Sequence, residues 1–284
     1  MKVPPVFEYV RVDSLNGFYK NVNQYSFPLI ISGGTVAVLM LKNRVIRPDA
    51  VIDISGIEDL NVLNIDKEKD EVFMGSNIKL YRLKSLLPDD SASELVIKSA
   101  STVGDIAIRS VGSVGGNVCL GDPGNDLPVA LTAIGAYAVV GSQESIRRVP
   151  VSDFYVKPFK NVLKKGEILL GVSYKRLYGY RTSYKKHFLN FLDHYVGIVA
   201  ALAKVEGKSI KDLRMAAAGE AIGTPVKIDI SEFSSVDDAV SIKKKLIDYL
   251  NSLPMHDDRF GTIKFKKKIL SALMFQAIDE VLGS

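Results

Sequence analysis

Apolar positions in the first part of the chain alternate between helix-like and strand-like spacing. Apolar residues recur at helical intervals behind Ser14, a residue type that caps helix N-termini, and this predicts a helix over 14–24. Runs of β-branched residues predict buried strands at 27–31 and 50–54. Between them, Ser-Gly-Gly-Thr precedes an apolar stretch at 36–41 that is typical of a short helix. A strand that turns through paired glycines into a helix presents backbone N–H groups at the turn.

The middle of the chain mixes strands and helices in the same way. Apolar runs predict strands at 71–75, 136–140 and 168–174. Helical spacing predicts helices at 81–87, 91–100 and 126–134. Ser91 and Glu94 have the spacing of a capping box, so Ser91 is expected to cap the second of these helices.

A change of composition at 175–182, where Arg, Gly and Tyr dominate, predicts a linker to a C-terminal region. That region is expected to contain strands at 195–204 and 213–218 and helices at 235–253 and 258–282. The alternation of strands and helices lacks the rhythm of a Rossmann fold, so we predict the α+β class.

The run RSVGSVGGNVCLGDPGNDLP at 109–128 contains five glycines among twenty residues. Glycine tolerates positive φ and lets the backbone approach a ligand closely. A series of such turns can direct several N–H groups at one anion, which favours a phosphate-binding nest. An ordinary surface loop with turn glycines is the alternative.

Length and composition place the chain among ordinary globular proteins. The 284 residues predict roughly two domains, and a hydrophobic content of 47% is sufficient for packed cores. No apolar run reaches the ~20 residues of a membrane span, and the N-terminal sequence lacks the pattern of a signal peptide. We therefore expect a cytoplasmic protein without a membrane segment.

The metal-ligating and charged residues exclude several functions. Cys119 is the only cysteine and the three histidines lack a familiar metal-ligand spacing, so this chain is expected to hold no iron–sulfur cluster or zinc of its own. The densest basic stretch, 264–268, has no aromatic platform or DNA-binding motif beside it, so no nucleic-acid partner is expected. A Walker P-loop and a Rossmann fingerprint are also absent from the sequence.

The glycine-rich run resembles a known signature. Residues 112–117 are similar to the Gly-Thr-Ile-Gly-Gly-Asn of the FAD-binding medium subunit of molybdenum hydroxylases. This family includes the flavoproteins of carbon monoxide dehydrogenase, aldehyde oxidoreductases and xanthine dehydrogenases. It continues with Asp-Pro and then Asp-Leu-Pro before an apolar helix, as residues 122–123 and 126–128 do here.

Further motifs resemble the same family in the same order. Ser-Gly-Gly-Thr at 32–35 is similar to its first glycine loop, and 47–54 to the Arg-Pro and Leu-Ile-Asp-Ile that follow. Glu-Ile-Leu at 167–169 resembles a strand whose leucine lies against the flavin. Residues 184–199 resemble a Tyr-x-Lys…His-Pro-Ala-Ser…Tyr…Val-Gly pattern, although His-Phe-Leu-Asn replaces His-Pro-Ala-Ser and extra residues precede Tyr195.

The resemblance implies a two-subdomain FAD-binding domain of the vanillyl-alcohol-oxidase (PCMH) type, followed by a small α+β C-terminal domain. We expect the FAD-binding domain over 1–176, with subdomains at about 1–56 and 57–176, and the C-terminal flavoprotein domain over 177–284.

The resemblance also implies which residues contact the cofactor. Two glycine loops, one from each subdomain, would close around the FAD pyrophosphate with their N–H groups. The expected cofactor-binding residues are Ser32, Gly33, Gly34, Thr35, Val36, Gly112, Ser113, Val114, Gly115, Gly116, Asn117, Asp122, Asp126, Leu169, Lys185 and Tyr195. Because no histidine precedes residue 187, the FAD is expected to be non-covalent.

Several of these positions have a second interpretation. Asp126 suits a hydrogen bond to the cofactor or an N-cap of the helix that follows. Leu169 and Tyr195 suit hydrophobic packing as well as flavin contact, and Lys185 suits a solvated strand position. Cys119 is expected to pack, with flavin contact as the alternative.

The resemblance implies electron transfer without a catalytic residue in this chain. A large subunit would oxidise the substrate at molybdopterin, and a small subunit would relay electrons through two [2Fe-2S] clusters. This chain would pass them from FAD to an external acceptor, in a heterotrimer that could pair further. The alternatives are a stand-alone flavin oxidoreductase of the same fold and a non-redox nucleotide-binding assembly subunit.

Overall fold

The computed structural model describes residues 6–188, 195–258 and 261–283, which form helices and strands in mixed order and confirm the predicted α+β class. The strands are β1 (Glu8–Arg11), β2 (Pro28–Ile31), β3 (Ala50–Asp53), β4 (Leu63–Asp66), β5 (Glu71–Gly75), β6 (Tyr137–Gly141), β7 (Ile146–Pro150), β8 (Tyr155–Lys157), β9 (Lys160–Asn161), β10 (Ile168–Lys175), β11 (Arg181–Phe188), β12 (Tyr195–Glu206), β13 (Ser209–Gly219) and β14 (Gly223–Ile228). The helices are α1 (Leu15–Val22), α2 (Ala37–Lys42), α3 (Leu83–Leu86), α4 (Ser91–Ser101), α5 (Ile106–Val111), α6 (Val114–Leu120), α7 (Asp126–Ala133), α8 (Ala239–Ser252) and α9 (Ile263–Leu282). None of the helices in these ranges is both long enough and apolar enough to cross a membrane.

The first sheet has three parallel strands in the order β1-β3-β2. Its central strand β3 is buried along its whole length, as expected for an apolar strand of a parallel sheet. Phe18 of α1 packs in the same core as Ile52 of β3. Ser14 caps α1 as predicted, because its Oγ accepts the N–H of Gly17 at 3.2 Å. The loop 32–36 follows β2 directly and therefore lies at the carboxyl edge of this sheet.

The second sheet is antiparallel, with the order β4-β5-β10-β6-β7. The register between β10 and β6 shifts between Leu169 and Gly171, so β10 carries one extra residue there. Helix α7 belongs to the core of this unit and every one of its residues is buried.

The third sheet, in the order β11-β12-β13-β14, lies between two hydrophobic cores. Successive side chains of a strand point to opposite faces. Accordingly, Ala200 and Leu202 of β12 pack in the core that contains α7, and Val199 and Ala201 pack with α8 and α9. The C-terminal region thus shares one core with the second sheet.

The N-cap predicted for α4 is wrong. Asp90 occupies the cap, and its Oδ1 accepts the N–H groups of Ala92 and Ser93 at 3.0 and 3.1 Å. Asp90 has an extended backbone, whereas Ser91 is already helical. A carboxylate at the N-terminus of a helix also interacts favourably with the helix dipole.

The prediction of successive glycine turns at 109–128 is also wrong. Helices α5 and α6 occupy most of this run, and Ser113 caps α6 by accepting the N–H of Gly116 at 3.1 Å. Among the five glycines of the run only Gly121 has a positive φ, 67°, where it ends α6. The glycines at 112, 115 and 116 must therefore serve another purpose.

Candidate functional site

A cavity of about 220 Å³ lies where the first and second sheets meet. Its lining comes from the end of β2, the segment after β5, helix α6 and the segment from β9 to β10. The lining residues are Ile30, Ile31, Ser32, Ile54, Ser76, Asn77, Ser113, Gly115, Gly116, Cys119, Asn161, Leu163, Glu167, Ile168 and Leu169. The cavity is thus mostly apolar with a few polar groups, as small-molecule sites commonly are.

The two glycine loops touch each other beside this cavity. A Cβ atom on Gly33 would lie 1.9 Å from the carbonyl oxygen of Val111, which is closer than two non-bonded atoms can approach. Gly34, with φ of 70°, then turns the chain toward α2. Only glycine at position 33 allows the first loop to lie against the end of α5.

Glycine at 115 allows α6 to lie directly against the segment after β5. A Cβ on Gly115 would lie 2.6 Å from the Cβ of Ser76, and the Gly115 N–H donates to the Ser76 carbonyl at 2.8 Å. The neighbouring Val114 N–H donates to the carbonyl of Ile78 at 2.9 Å. These two N–H groups are therefore used within the protein, and the glycine provides close packing instead of a left-handed turn.

Three buried polar atoms of the cavity lining have no hydrogen-bond partner among the residues that the structure describes. They are Ser32 Oγ, Ser76 Oγ and Asn77 Oδ1. The Asn77 amide nitrogen, in contrast, donates to the Ile54 carbonyl at 2.7 Å, which fixes the orientation of this side chain. Leaving a buried polar group unsatisfied costs about 1–3 kcal/mol. Three such groups around one cavity indicate that a ligand supplies the missing hydrogen bonds.

The first glycine loop carries N–H groups without an acceptor in the described part of the chain. The backbone N–H groups of Gly33, Gly34 and Thr35 donate to no acceptor within the described ranges. Consecutive free N–H groups before a helix favour the binding of an anionic group such as a phosphate.

Asn117 and Asp122 organise the connection between α6 and α7. Asn117 Oδ1 accepts the N–H of Leu127 at 3.3 Å, and its carbonyl oxygen accepts from the Asn125 side chain at 2.6 Å. Asp122 Oδ1 accepts the N–H of Gly124 at 2.8 Å. Neither residue lines the cavity, and both shape the loop next to it.

Asp126 is buried and its carboxylate is the centre of a hydrogen-bond network. It accepts from Thr102 Oγ1 at 2.7 Å, from the Tyr184 hydroxyl at 2.5 Å and from Lys186 Nζ at 2.8 Å. The N-cap of α7 is Asn125, so the cap interpretation of Asp126 is wrong. Its carboxylate instead joins α4 and α7 to β11.

The remaining predicted residues lie in different places. Leu169 is buried and lines the cavity, whereas Lys185 forms an ion pair with Glu280 of α9. Thr35 and Val36 lie in the turn before α2. Tyr195 pairs with Phe188 at the start of β12, but its side chain lies outside the described part of the chain.

A family model for the FAD binding domain in molybdopterin dehydrogenase matches residues 5–174. The medium chain of glyceraldehyde dehydrogenase from Sulfolobus acidocaldarius is 30% identical over 286 residues, which cover 98% of this chain and 99% of that one. The medium chain of carbon monoxide dehydrogenase from Hydrogenophaga pseudoflava is 28% identical over 171 residues, which cover 60% of this chain and 59% of that one. This chain belongs to the family of FAD-binding domains of molybdopterin dehydrogenases.

The overall structure agrees with this membership. A solved carbon monoxide dehydrogenase from H. pseudoflava, which lacks the Mo-pyranopterin moiety of its cofactor, superposes with a TM-score of 0.89 at 21% identity over 99% of both chains. At this identity the likeness concerns the fold. The family predicted from the motifs is confirmed, and with it an oxidoreductase flavoprotein of the dehydrogenase type that uses FAD.

Some residues in and near the cavity were not predicted from the sequence. Ser76 and Asn77 follow β5 directly, and a polar pair at the end of a predicted strand was the available signal. Lys79 Nζ donates to the Val111 carbonyl at 3.0 Å, at the contact between the glycine loops. Burial lowers the pKa of this lysine, while the nearby Asp53 opposes that shift.

Two further lining residues bear on the electrostatics of the cavity. Glu167 pairs with Arg147 at 2.8 Å, and hydrogen bonds from this guanidinium hold the pKa of Glu167 below its ordinary value. Burial raises the pKa of the Cys119 thiol to about 12. The carboxylate is therefore neutralised by its partner, and the thiol stays protonated at neutral pH.

The donor set fits a dinucleotide cofactor. The Ser32 and Ser76 hydroxyls and Asn77 Oδ1 lie in the mostly apolar cavity lining, and the free N–H groups at 33–35 directly follow Ser32 in the chain. Within the described residues there is no group of three or more His, Cys, Asp or Glu side chains arranged to hold a metal.

Proposed function

We propose that this chain is the electron-transfer subunit of a molybdenum-containing hydroxylase or dehydrogenase, in which it carries FAD. It would take electrons from the [2Fe-2S] clusters of a partner subunit and pass them to an external acceptor. The observation that carries the proposal is the cavity beside the two contacting glycine loops, with three unsatisfied polar atoms in its lining.

Backbone N–H groups and serine hydroxyls of this chain would bind the cofactor. The N–H groups of Gly33, Gly34 and Thr35 would donate to the pyrophosphate, since backbone donors and phosphate form charge-assisted hydrogen bonds. The hydroxyls of Ser32 and Ser76 would meet further polar atoms of the cofactor. FAD, when bound, would supply the redox chemistry, and the protein would set its position and surroundings.

The apolar side of the cavity would exclude water from the flavin. Ile30, Ile54, Ile168 and Leu169 provide this surface. The ion pair between Arg147 and Glu167 would keep that wall without net charge. Low polarity strengthens each remaining polar contact inside such a site.

We also propose that the FAD is non-covalent. Cys119 is the thiol in the described lining, and its raised pKa keeps it in the poorly nucleophilic protonated form. A free thiol is typical of reducing compartments, which supports a cytoplasmic location.

The proposed partners are a large molybdopterin subunit and a small iron–sulfur subunit, in a heterotrimer that can pair further. The names of the relatives as medium chains support this assembly. Exposed apolar side chains on the two helices beside the glycine loops support it as well, because permanent interfaces bury such surfaces. These side chains are Val38, Leu39, Ile106, Ile108 and Val111.

We also propose that the chain consists of two functional domains. Residues 1–176 would bind FAD, with subdomains at about 1–56 and 57–176, and residues 177–284 would form the C-terminal flavoprotein domain. The positions of the first two sheets on either side of the cavity support this division.

The test compares flavin content in two variants of the purified complex. Gly116→Val adds a side chain to the cavity lining, where an added Cβ would meet only Ser113 Oγ, at 3.1 Å. Ser110→Val places the same side chain on α5 outside the lining and serves as the control. Absorption spectra should lose the flavin bands in Gly116→Val alone, with iron–sulfur absorbance and circular dichroism unchanged in both.

Three outcomes would overturn the proposal. Full flavin content in Gly116→Val would contradict the site. A parent protein without a yellow chromophore would favour a non-redox assembly subunit. An isolated chain that oxidises NAD(P)H with oxygen and never associates with iron–sulfur or molybdopterin subunits would favour a stand-alone flavin oxidoreductase.

A further inference from the structure

A basic segment follows the second sheet's edge strand beside the cavity. Residues 155–165 read YVKPFKNVLKK and contain four lysines and no acidic residue. All four lysines, at 157, 160, 164 and 165, are exposed. Clustered like charges produce a local positive potential that attracts and orients acidic molecules.

This segment is part of the cavity wall as well as of the surface. Asn161 and Leu163 line the cavity, and each is adjacent in sequence to an exposed lysine, Lys160 and Lys164 respectively. A molecule that docks on the lysines would therefore lie one residue away from side chains that line the proposed FAD cavity.

Three hydrogen bonds fix the hairpin formed by β8 and β9 to the end of α6. The Tyr155 hydroxyl donates to the Val118 carbonyl at 2.9 Å, and the Asn161 side chain donates to the Cys119 carbonyl at 2.8 Å. The Phe159 N–H donates to the Gly121 carbonyl at 2.8 Å. The hairpin is thus held in a defined position relative to the cavity.

The tip of this hairpin exposes apolar side chains in a strained conformation. Phe159 has a φ of 59° and is 61% exposed, and Val156 is 60% exposed. A bulky residue at positive φ is a genuine outlier, and glycine would adopt this conformation without strain. Such strain clusters at functional sites. An aromatic side chain kept here in solvent points to a role in contact with another molecule.

We propose that Val156, Lys157, Phe159, Lys160 and Lys165, together called the hairpin surface, dock an acidic one-electron carrier protein that serves as the external acceptor. This inference rests on the proposed function of the chain. Two carrier molecules each take one electron per turnover, so the two electrons of the reduced flavin leave and its protons are released to water.

The chemistry of the hairpin surface fits a transient carrier better than a permanent subunit. Lysine is depleted in protein interfaces, and permanent interfaces are large and apolar. Transient electron-transfer contacts are small, and complementary charge accelerates their formation. The exposed apolar helices α2 and α5 offer the contrasting surface that permanent subunits prefer.

The experiment measures binding of an acidic ferredoxin, as the probe, to the flavin-loaded complex. The variant Lys157→Glu/Lys160→Glu/Lys165→Glu reverses the hairpin charges. The variant Lys244→Glu/Lys264→Glu/Lys268→Glu makes the same charge change at exposed positions of α8 and α9. We expect the dissociation constant at low salt to rise at least tenfold for the hairpin variant and less than twofold for the control. Added salt should weaken binding of the parent and have little effect on the hairpin variant.

A second variant tests the apolar contact without a change of charge. Phe159→Gly relieves the backbone strain, so it should fold at least as well as the parent and bind the probe several-fold more weakly. Equal binding by both triple variants, or full binding by Phe159→Gly, would overturn the proposal. So would loss of the other subunits from the hairpin variant, since the surface would then be a permanent interface. Flavin absorbance distinguishes these outcomes from failure of the proposed function, because a complex without flavin would refute that function itself.

Discussion

Lys186 Nζ lies 2.8 Å from both carboxylate oxygens of Asp126, and each side chain is less than 5% exposed. The pair joins the first residue of α7 to strand β11. The neighbouring lysine, Lys185, pairs instead with Glu280, and both of these side chains keep contact with solvent. Two adjacent lysines thus form ion pairs of very different burial.

Replacement of either lysine by methionine should reveal this difference. Lys186→Met leaves a buried carboxylate without its counterion, so the free energy of unfolding should fall by about 3–5 kcal/mol. Lys185→Met removes a partly exposed pair and should cost about 0–1 kcal/mol. Urea denaturation at neutral pH checks both values. Adding Asp126→Asn to Lys186→Met should recover part of the loss, and equal losses in the two single variants would contradict the assignment.

The unsatisfied hydroxyl of Ser76 should lower the stability of the flavin-free protein and raise its affinity for FAD. Ser76→Ala removes a buried group without a partner, so the flavin-free protein should gain about 1 kcal/mol of unfolding free energy. The same change would remove the proposed hydrogen bond to FAD and should weaken binding about threefold to tenfold. Denaturation of the flavin-free protein and titration with FAD measure the two effects.

Thr132→Val is the matched control for Ser76→Ala. Thr132 Oγ1 is also buried and has no partner among the described residues, but it lies in α7 and outside the cavity lining. Its replacement should stabilise the protein and leave FAD affinity unchanged. If both variants bind FAD as the parent does, Ser76 has no contact with the cofactor.

Cys119 should react slowly with alkylating reagents, with a characteristic pH dependence. The thiolate is the reactive form, and burial raises the pKa of this thiol to about 12. The alkylation rate of the flavin-free protein should therefore rise about tenfold per pH unit between about pH 7 and 10. Mass spectrometry of quenched samples measures the rate, with Cys119→Ser as the blank. A plateau near the ordinary cysteine pKa would contradict the expectation.

Gly33 and Gly116 should differ in their tolerance of a single methyl group. Gly33→Ala places a Cβ against the Val111 carbonyl, so the loops must separate at a cost of about 1–3 kcal/mol or more. Gly116→Ala adds the same atom inside α6, where only Ser113 Oγ is near, and stability should stay within about 1 kcal/mol. Thermal unfolding of the flavin-free variants tests this, and equal melting temperatures would argue against close contact of the loops.

The sequence predicted the buried elements well. Strands β2, β3 and β10 contain apolar runs with β-branched residues, and these strands and β5 were expected within a residue or two of their observed bounds. Edge strands such as β7, with the sequence IRRVP, were missed because half-exposed strands carry charged residues. Glycine disfavours helices, so α6 was expected to be turns. Contact of Gly115 with Ser76, a tertiary effect, outweighs that preference.

The residues of the candidate site could be predicted from the sequence only in part, because tertiary contacts bring some of them together. The motifs identified both glycine loops and Leu169, because these residues form compact local patterns. Ser76 and Asn77 come from a third segment, and only the folded chain brings them to the cavity. The partner of Asp126 could not be read from the sequence either, since Lys186 lies 60 residues away.

The side chains of strand β12 alternate between two cores, and this arrangement affects how the protein unfolds. Ala200 and Leu202 cannot leave the core around α7 without exposing the opposite face with Val199 and Ala201. The C-terminal region and the second sheet should therefore melt together in one cooperative transition. Release of flavin on heating would then report the joint unfolding of the second sheet and the C-terminal region, including strands of the third sheet that do not line the cavity.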